Sequence, residues 1–548
     1  MEKRTLLAIV LCILVIIFYN IFLTPKVVPP QPQAPVPEEV VEAPTRLPLR
    51  GTSGQEEEVL PTPEIPIIES RDIIVETDLV KAIFTTQGAR LKSYWLKNYD
   101  YELVAPTEEN KYPLSLEIPG QPGLVLENWS SDKERLILSE NNPTGEVIFT
   151  YLNPQGLKII KTLRFYNDSY KIDARVSLQN TTSQDIYIPE YRLSWGPGIG
   201  EEEKKAGRRY GQFAGPVSFI NGKLEKDTLK RGFLKGPSVE LGAPKVRQGE
   251  VGWVALKSKY FMAAFVPLEA AQATIIEKDE RNKATVGIKM APFSLKGKGS
   301  ISHEFTIYPG PKDYELVKGL GLGLEQAVDL AWWSWVTPIS LLLLKLFKWF
   351  YKIIPNYGVA IILITLLTKV ILLPFTQKSF THMRAMQAIQ PKINALREKH
   401  KDNPQELNRQ MMRLYREHKV NPLGGCFPML LQMPIFFALF GLLYTSIDLR
   451  GAGFIWWIKD LSLPDTVGYV AGFPINILPI LMGLTTVIQQ KMTTVDPRQA
   501  KMMLFMPVFM TFIFYNFPSG LVLYWSVTNV LTIGQQYIIA KRMPAPAK

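Results

Sequence analysis

Residues Val359 to Phe375 read VAIILITLLTKVILLPF, and this stretch decides the fold. The run is apolar and long enough to enter a lipid bilayer, yet it carries one charged residue, Lys369. A cation inside hydrocarbon costs at least about 2.5–3.5 kcal/mol, so the lysine must extend to the membrane surface, bind a partner or face water. The stretch therefore predicts a transmembrane helix, and the surroundings of Lys369 become the first question about function.

The composition indicates a chain with both membrane and aqueous parts. It has 548 residues, of which 47% are hydrophobic and concentrated in blocks, and its formal net charge is +12. No compact basic domain with interleaved aromatic residues is present, so we expect no sequence-specific nucleic-acid binding and assign the excess charge to cytoplasmic loops. The two cysteines lie in apolar runs and the four histidines lack metal-ligand spacing, so we expect no disulfide framework, metal or other cofactor.

Residues 1–24 predict an N-terminal membrane anchor. Basic residues precede the apolar run Leu6–Leu23, and no small-residue cleavage site follows, which favours an uncleaved span with a cytoplasmic N-terminus over a signal peptide. A lipoprotein is disfavoured, since Leu11 precedes Cys12 where a small residue is expected. Residues 25–66 are rich in Pro and Glu and predict an extended tether.

Residues 67–320 have the pattern of an all-β domain. The segment Lys171–Leu178 alternates polar and apolar residues, as a half-buried strand does, and turn clusters such as Asn153-Pro154-Gln155-Gly156 separate similar segments. We expect one large antiparallel sandwich on the periplasmic side, with a long surface loop from Gly196 to Gly215. The domain shows no obvious carboxylate or histidine constellation, so we expect a scaffold or docking surface rather than catalysis.

Residues 321–355 predict an amphipathic helix at the membrane interface. Lys345, Lys348 and Lys352 recur at helical spacing beside leucines, phenylalanines and four tryptophans. A true membrane span is the alternative, which the three lysines disfavour.

A transmembrane helix over residues 356–376 leads into a polar segment, residues 377–420. That segment holds ten Lys or Arg against four Asp or Glu, and apolar residues recur in it every three or four positions. Asn403-Pro404 with Glu406 reads as the start of a second helix, so we expect an antiparallel helical hairpin in the cytoplasm. The hairpin is either a solvated loop or a docking site for nascent chains or a ribosome.

The remaining transmembrane core is expected within residues 421–542, followed by a short cytoplasmic tail at 543–548. Four apolar runs follow the hairpin: Cys426–Tyr444, Phe473–Ile488, Met502–Phe517 and Leu521–Ile539. The charge bias of the loops predicts six spans with both termini in the cytoplasm and residues of about 25–355 in the periplasm. A run of 16 residues rises only about 24 Å against a hydrocarbon core of about 30 Å, which predicts local thinning of the bilayer.

Polar residues on several spans are candidates for a site around Lys369. They are Thr365 on the same helix, Gln432 on another span, and Ser526 and Asn529 on the last span. No Asp or Glu lies within a span to pair with the lysine. Two interpretations stay open: the lysine extends to the interface by its flexible stem, or it faces a hydrated, positively charged groove that opens to the cytoplasm. Nucleotide-binding and hydrolase motifs are lacking, so we expect no enzyme and no catalytic residues.

Several motifs in the second half of the chain resemble the YidC membrane insertase family. They are Ile389-Gln390-Pro391-Lys392, Val420-Asn421-Pro422-Leu423-Gly424-Gly425-Cys426-Phe427-Pro428, Leu478-Pro479-Ile480-Leu481-Met482-Gly483 and Phe517-Pro518-Ser519-Gly520-Leu521-Val522-Leu523-Tyr524. The resemblance covers roughly residues 324–542, while the anchor, tether and β domain are similar in architecture to the Gram-negative form of the family.

The resemblance implies a function. Members insert, fold and assemble inner-membrane proteins, alone or with the Sec translocon, and receive nascent chains from ribosomes, often through the signal recognition particle. It also implies five core helices around a groove with a positive residue, which here is Lys369, where many members carry arginine. Tyr524 and Trp525 stand where the family often has two substrate-contacting tyrosines, and the periplasmic domain is expected to be a β-supersandwich. The alternatives are a solute transporter or channel, and a membrane-anchored carbohydrate-active enzyme.

Overall fold

The computed structural model describes residues 70–105, 111–200, 215–227, 244–278, 283–331, 333–418, 420, 427–493 and 497–542. All of them belong to one compact unit, Ile68–Lys548. The predicted anchor, the tether, the tail and most of the predicted loop from Gly196 to Gly215 lie outside the described residues.

The first half of the described chain is built of strands. They are β1 (Asp72–Glu76), β2 (Val80–Thr85), β3 (Arg90–Leu96), β4 (Tyr101–Glu102), β5 (Ser115–Glu117), β6 (Ser130–Ser131), β7 (Arg135–Ile137), β8 (Thr144–Leu152), β9 (Leu157–Tyr166), β10 (Ser169–Asn180), β11 (Ile186–Ile188), β12 (Tyr191–Trp195), β13 (Gly215–Ile220), β14 (Lys223–Lys226), β15 (Lys245–Gln248), β16 (Val251–Lys257), β17 (Phe261–Pro267), β18 (Ala273–Lys278), β19 (Ala284–Met290), β20 (Phe293–Leu295) and β21 (Ser300–Pro311). The prediction of a large β-rich domain is confirmed.

Three larger sheets form this domain. A nine-stranded sheet has the order β14-β13-β16-β17-β21-β10-β9-β8-β6, and two five-stranded sheets have the orders β4-β3-β2-β1-β7 and β15-β18-β19-β12-β5. Strand β19 lies against β16 and β17, which packs one five-stranded sheet on the nine-stranded sheet. The segment Lys171–Leu178 lies in β10, where side chains alternate between buried and partly exposed, because successive residues of a strand point to opposite faces.

The second half of the described chain is mainly helical. Two short helices belong to the β domain, α1 (Gly123–Leu126) and α2 (Tyr314–Gly319). They are followed by α3 (Thr337–Ile353), α4 (Tyr357–Lys399), α5 (Pro404–Glu417), α6 (Phe427–Thr445), α7 (Ile477–Thr493), α8 (Pro497–Phe514) and α9 (Ser519–Arg542). A short hairpin of β22 (Thr466–Val470) and β23 (Phe473–Asn476) precedes α7.

Helix α4 contains the opening stretch and continues far beyond it. It begins where the Asn356 side chain accepts a hydrogen bond from the Val359 amide, and it runs through Pro374 and Pro391 for 43 residues. The sequence predicts a membrane helix and a separate hairpin helix here, whereas the structure has one continuous helix. Helix α5 returns along its second half, and a small apolar cluster joins the two around Ile393 and Leu414. The predicted cap at Asn403 is present, since its side chain accepts from the Glu406 amide.

Helix α3 begins at Thr337, after two short 3-10 turns, and is shorter than the predicted interfacial segment. Its buried face, which includes Leu343, Leu344 and Phe347, packs into the same core as α4, α6 and α9. Lys345 and Lys352 are exposed, whereas Lys348 donates to Asp313 at 2.7 Å. Two lysines of the expected basic face therefore face solvent, and the third binds the β domain.

One expected span begins later than predicted. Residues Phe473–Asn476 were expected to open the helix that ends near Ile488, but they form strand β23 and pair with β22. The run is apolar enough for a helix, but Gly472 at φ +81° makes a tight reversal just before it. Helix α7 starts only at Ile477.

Among the described residues, one helix is long and apolar enough to cross a membrane, the helix Tyr357–Lys399. Two shorter apolar helical segments are Leu431–Thr445 and Phe505–Phe514. The predicted number of six spans stays a prediction.

Candidate functional site

The candidate site lies where α9 meets α4. Lys369 is half-buried, and its ammonium donates a hydrogen bond to Thr532 Oγ1 of α9 at 2.7 Å. Within the described part of the chain, the ammonium binds this neutral hydroxyl, and no carboxylate forms an ion pair with it. The side chain therefore points across to a neighbouring helix rather than along its own helix to the interface.

A second hydrogen bond joins the same two helices. Gln535 donates to Thr376 Oγ1 at 2.6 Å. Thr376 lies two turns after Lys369 on α4, and Gln535 lies one turn after Thr532 on α9. From the first hydrogen bond to the second, the residue numbers increase on both helices, so α4 and α9 run parallel. We call Lys369, Thr376, Thr532 and Gln535 the polar seam.

Two further polar side chains of α9, Thr528 and Gln536, lie along this region. Gln536 Oε1 is buried and accepts no hydrogen bond within the described residues. Thr528 Oγ1 is also buried, and it lies beside the Tyr524 hydroxyl. Buried polar atoms are rarely left unpaired, and a site with several such groups is a place where ordered water binds. The polar seam and these two groups thus form a region suited to water or to a polar segment.

The predicted site residues divide into different environments. Thr365 and Ser526 are buried, and each hydroxyl donates to the backbone of its own helix, at Ile361 and Val522. These two side chains are satisfied locally and do not extend towards Lys369. Asn529 faces α7 instead, where its amide donates to Thr486 Oγ1 at 2.8 Å and to Thr485 Oγ1 at 3.2 Å.

Tyr524, Gln432 and Trp525 lie on the α6 side of α9. The buried Tyr524 hydroxyl lies beside the side chains of Gln432 and Thr528. Trp525 packs edge-on against Phe436 with ring centroids 5.0 Å apart, and it also contacts Phe514 at 5.1 Å. Further aromatic contacts continue from there to Phe440 and Phe517. The polar seam therefore gives way to an aromatic cluster towards the start of α9.

Sequence reasoning located Lys369 but missed its partners. Thr376, Thr532 and Gln535 were not among the expected site residues, although Thr532 and Gln535 share a helix face by their spacing of three. The sequence signal for these three residues is that they are polar residues within or beside apolar runs. That signal does not show which helix packs against them.

A separate ionic cluster joins the β domain to the helices. The Asp329 carboxylate binds Lys257 of β16 at 2.5 Å, Lys226 at 3.0 Å and Lys312 at 3.4 Å, and its carbonyl accepts from Thr445 of α6 at 2.8 Å. Burial alone would raise the pKa of Asp329, but the three lysine charges outweigh it and hold the pKa below its usual value. The cluster fixes the position of the β domain beside α6.

His303 is the only histidine in the described part of the β domain, and it lies in the core. No group of three or more potential metal ligands is found there. His303 is buried, its Nδ1 lies 2.7 Å from the Tyr191 hydroxyl, and burial lowers the pKa of the imidazole. Glu269 is 3.9 Å away, beyond hydrogen-bonding distance. This pair is a satisfied core contact.

Two family models and the relatives that match the whole chain agree with one another. Residues 72–342 match the family described as the YidC periplasmic domain, and residues 349–546 match the family described as the 60Kd inner membrane protein. A protein of Syntrophus aciditrophicus named membrane protein insertase YidC is 35% identical over 99% of this chain and 100% of its own length. A protein of Pelobacter propionicus with the same name is 37% identical, with 99% of both chains covered. A solved structure titled as an active YidC insertase has 18% identity, a TM-score of 0.37, and coverage of 85% of this chain and 92% of its own.

Proposed function

Since this chain belongs to the YidC family of membrane protein insertases, we propose that the polar seam between α4 and α9 is where it receives a hydrophilic segment of a protein entering the membrane. Its function is the insertion and assembly of inner-membrane proteins, and a solute transporter is not favoured, because the relatives that match its whole length are insertases. No bond is made or broken in this process, so no catalytic residue or cofactor takes part.

The observation that carries the proposal is the pairing of Lys369 with a neutral hydroxyl. A buried cation without a carboxylate keeps most of its attraction for an anion available, and two opposite charges in a site of low polarity attract strongly. An acidic residue of an incoming segment can therefore replace Thr532 as the partner of Lys369. The buried Thr528 hydroxyl and the free Oε1 of Gln536 add hydrogen-bonding capacity along the same path.

The aromatic cluster supports a groove that is closed at one end. Phe436, Phe440, Phe514, Phe517 and Trp525 pack together on the side of the bundle that adjoins the β domain. A polar segment then crosses only the open part of the bundle, while its apolar helix leaves sideways into lipid. Tyr524, Gln432, Ser526, Asn529 and Thr365 remain our proposed lining residues.

We propose the membrane topology on the same basis. The contacts show that α9 runs parallel to α4 and antiparallel to α6, as expected for helices that cross the membrane alternately. With the β domain in the periplasm, the second half of α4 and helix α5 extend into the cytoplasm together with both termini. The hairpin is basic, which suits a docking site for the ribosome and the signal recognition particle, and the Sec translocon is a further proposed partner.

The test is reversal of the groove charge. Lys369→Glu should abolish insertion of a small substrate with an acidic leading segment, because the groove then repels it. The matched control is Lys352→Glu, the same charge change at an exposed position on the neighbouring helix α3, outside both the polar seam and the basic hairpin, which should insert normally. Normal insertion by Lys369→Glu, with the protein folded, contradicts the proposal.

A crosslinking experiment tests the path itself. A photoreactive residue at position 528 or 535 should crosslink to a stalled nascent chain, while one at exposed Leu366 of α4, on the lipid-facing side, should crosslink mainly to lipid. Equal crosslinking to the nascent chain from all three positions would argue against a groove.

A further inference from the structure

The hairpin of β22 and β23 is an apolar projection at one end of the helical bundle. Its turn is formed by Ala471 at φ +49° and Gly472 at φ +81°, the backbone of a tight two-residue hairpin. From Thr466 to Asn476 the sequence TVGYVAGFPIN contains no charged residue. Tyr469, Val470 and Phe473 at the tip are 72%, 63% and 76% exposed.

Such a tip is unusual for a protein surface in water. Exposed strand edges normally carry charges or prolines that prevent association, and large exposed apolar patches mark contact sites. This hairpin carries one proline, Pro474, which pairs with Tyr469, but it carries no charge, and its tip is aromatic and aliphatic. We define these three tip residues together with Trp456 as the apolar tip.

Trp456 adds a third exposed aromatic residue, in addition to Tyr469 and Phe473 of the hairpin. It is 83% exposed and has φ +51°, a backbone conformation that bulky residues rarely adopt. Its neighbour Trp457 stacks on it and donates to Asp465, the residue just before β22, at 3.0 Å. Strained backbone of this kind persists where surrounding contacts hold it, and it is concentrated at functional positions.

The base of the hairpin is fixed to the ends of two bundle helices. The Asn476 amide donates to the carbonyl of Tyr515 at 2.6 Å, just after α8, and the Tyr515 hydroxyl donates to the Pro474 carbonyl at 2.6 Å. Asp465 accepts from the Leu478 amide in the first turn of α7. The base of the hairpin therefore lies at the level where α7 begins and α8 ends, and the apolar tip projects from there.

Helix length explains why apolar surface is useful there. From Ile477 to Ile488 the apolar part of α7 rises about 18 Å, well short of a hydrocarbon core of about 30 Å. Ile480 and Leu484 on α7 and Phe512 on α8 are exposed and continue towards the hairpin. The free backbone edges of the hairpin restrict it to the interfacial zone, because unpaired N–H and C=O groups are not tolerated in hydrocarbon.

We propose that the apolar tip inserts into the lipid headgroup and upper acyl region of the leaflet on the side of the β domain, and so anchors the short helices α7 and α8 in a locally thin bilayer. The partner is lipid because the surface combines aromatic and aliphatic residues without charge, and because it is continuous with the exposed faces of membrane helices. This goes beyond the proposed insertion function and does not depend on the groove.

The experiment uses an environment-sensitive fluorophore on the full-length protein. Cys12 and Cys426 are replaced by Ser, Phe473→Cys is labelled with NBD, and the protein is reconstituted in vesicles of phosphatidylethanolamine and phosphatidylglycerol. The matched control is Glu140→Cys, which is exposed on the β domain. Tyr469→Cys provides a second position in the tip.

Labels at 473 and 469 should show blue-shifted emission and several-fold more quenching by nitroxide lipids than the label at 140. A nitroxide near the headgroup should quench more than one deep in the acyl chain. Emission like that of the control overturns the proposal. Blue-shifted emission that nitroxide lipids do not quench also overturns it, because protein then covers the tip instead of lipid.

Discussion

Lys369 on α4 and Thr532 on α9 are joined by a hydrogen bond of 2.7 Å across 163 residues of sequence. The ammonium thus has a neutral partner inside the bundle. This pairing distinguishes a lysine held within the bundle from one that extends to the membrane surface. It also makes Thr532 as informative a position for mutation as the lysine itself.

Thr532→Val should destabilise the folded protein by about 1.5–3 kcal/mol. Valine has nearly the same shape, but it leaves a charged donor without its partner, and hydrogen bonds to charged groups contribute this much. The measurement is thermal unfolding in detergent followed by tryptophan fluorescence. Thr532→Ser keeps the hydroxyl and should stay close to the wild type; equal losses for Val and Ser would mean that packing, not the hydrogen bond, matters at this position.

Asp329→Asn should separate the β domain from α6 and cost about 3–5 kcal/mol. The substitution removes one partner of a buried ionic cluster and leaves Lys257 and Lys312 uncompensated. Hydrogen exchange of α6 and of the segment around Asp329 measures the effect locally.

The control for this cluster is Lys226→Gln, whose half-exposed side chain should contribute less than about 1 kcal/mol. The pKa of Asp329 is lowered in the folded state, so its contribution is complete above about pH 4 and is lost as the pH falls through the folded pKa. The difference between wild type and Asp329→Asn should therefore shrink in strong acid. A difference that grows with acidity would be inconsistent with an ionised Asp329.

Gly441→Ala should destabilise the same junction although alanine favours helices. A Cβ at Gly441 of α6 would lie 2.7 Å from the carbonyl oxygen of Leu330, a backbone atom that cannot rotate away. We expect a net loss of about 1–3 kcal/mol, typical of overpacking, with faster hydrogen exchange around Asp329. Gly534→Ala on α9 is the matched control, because nothing lies within 4 Å of its Cβ, and it should gain up to about 1 kcal/mol. Identical results for the two variants would contradict the close contact at Leu330.

The sequence predicted local structure correctly where a residue pattern is compatible with only one kind of secondary structure. Alternation over Lys171–Leu178 predicted part of β10, and Asn403-Pro404 predicted the start of α5, because strand period and helix capping are local properties. The prediction of a helix beginning at Phe473 was wrong, because a short apolar segment is equally compatible with a helix or a strand. We also did not predict that α4 is one continuous helix. The change from apolar to basic residues near Gln377 marks a change in the surroundings of the helix, but the helix itself continues.

The site was predictable only in part for a physical reason. The energetic cost of a charge in an apolar run identifies Lys369 without any structure. Its partner Thr532, and the Asp329 cluster with lysines 17 to 103 residues away, depend on how elements pack together. No local sequence pattern shows which residues of distant elements come into contact.

Lys161 of β9 provides a pH-dependent test of the β domain. Its side chain is completely buried and donates to the carbonyls of Ala89 and Leu114, at 2.8 and 2.5 Å. Burial, with a smaller effect of Arg90, lowers the pKa of this lysine to about 7. The unfolded chain, with a lysine pKa of about 10.4, binds the proton more tightly, so stability should rise as the pH increases from about 7 to 10.

Lys161→Met should flatten this rise and lower stability overall, since two buried carbonyls lose their donor. Hydrogen exchange of β9 in the full-length protein between pH 7 and pH 10, corrected for intrinsic exchange, measures both effects. Lys158→Met is the matched control: it lies on the same strand but on the opposite, partly exposed face, and it should keep the slope of the wild type. A wild-type stability that falls over this range would show that the buried lysine keeps its proton, and that its two carbonyl partners outweigh the cost of burial.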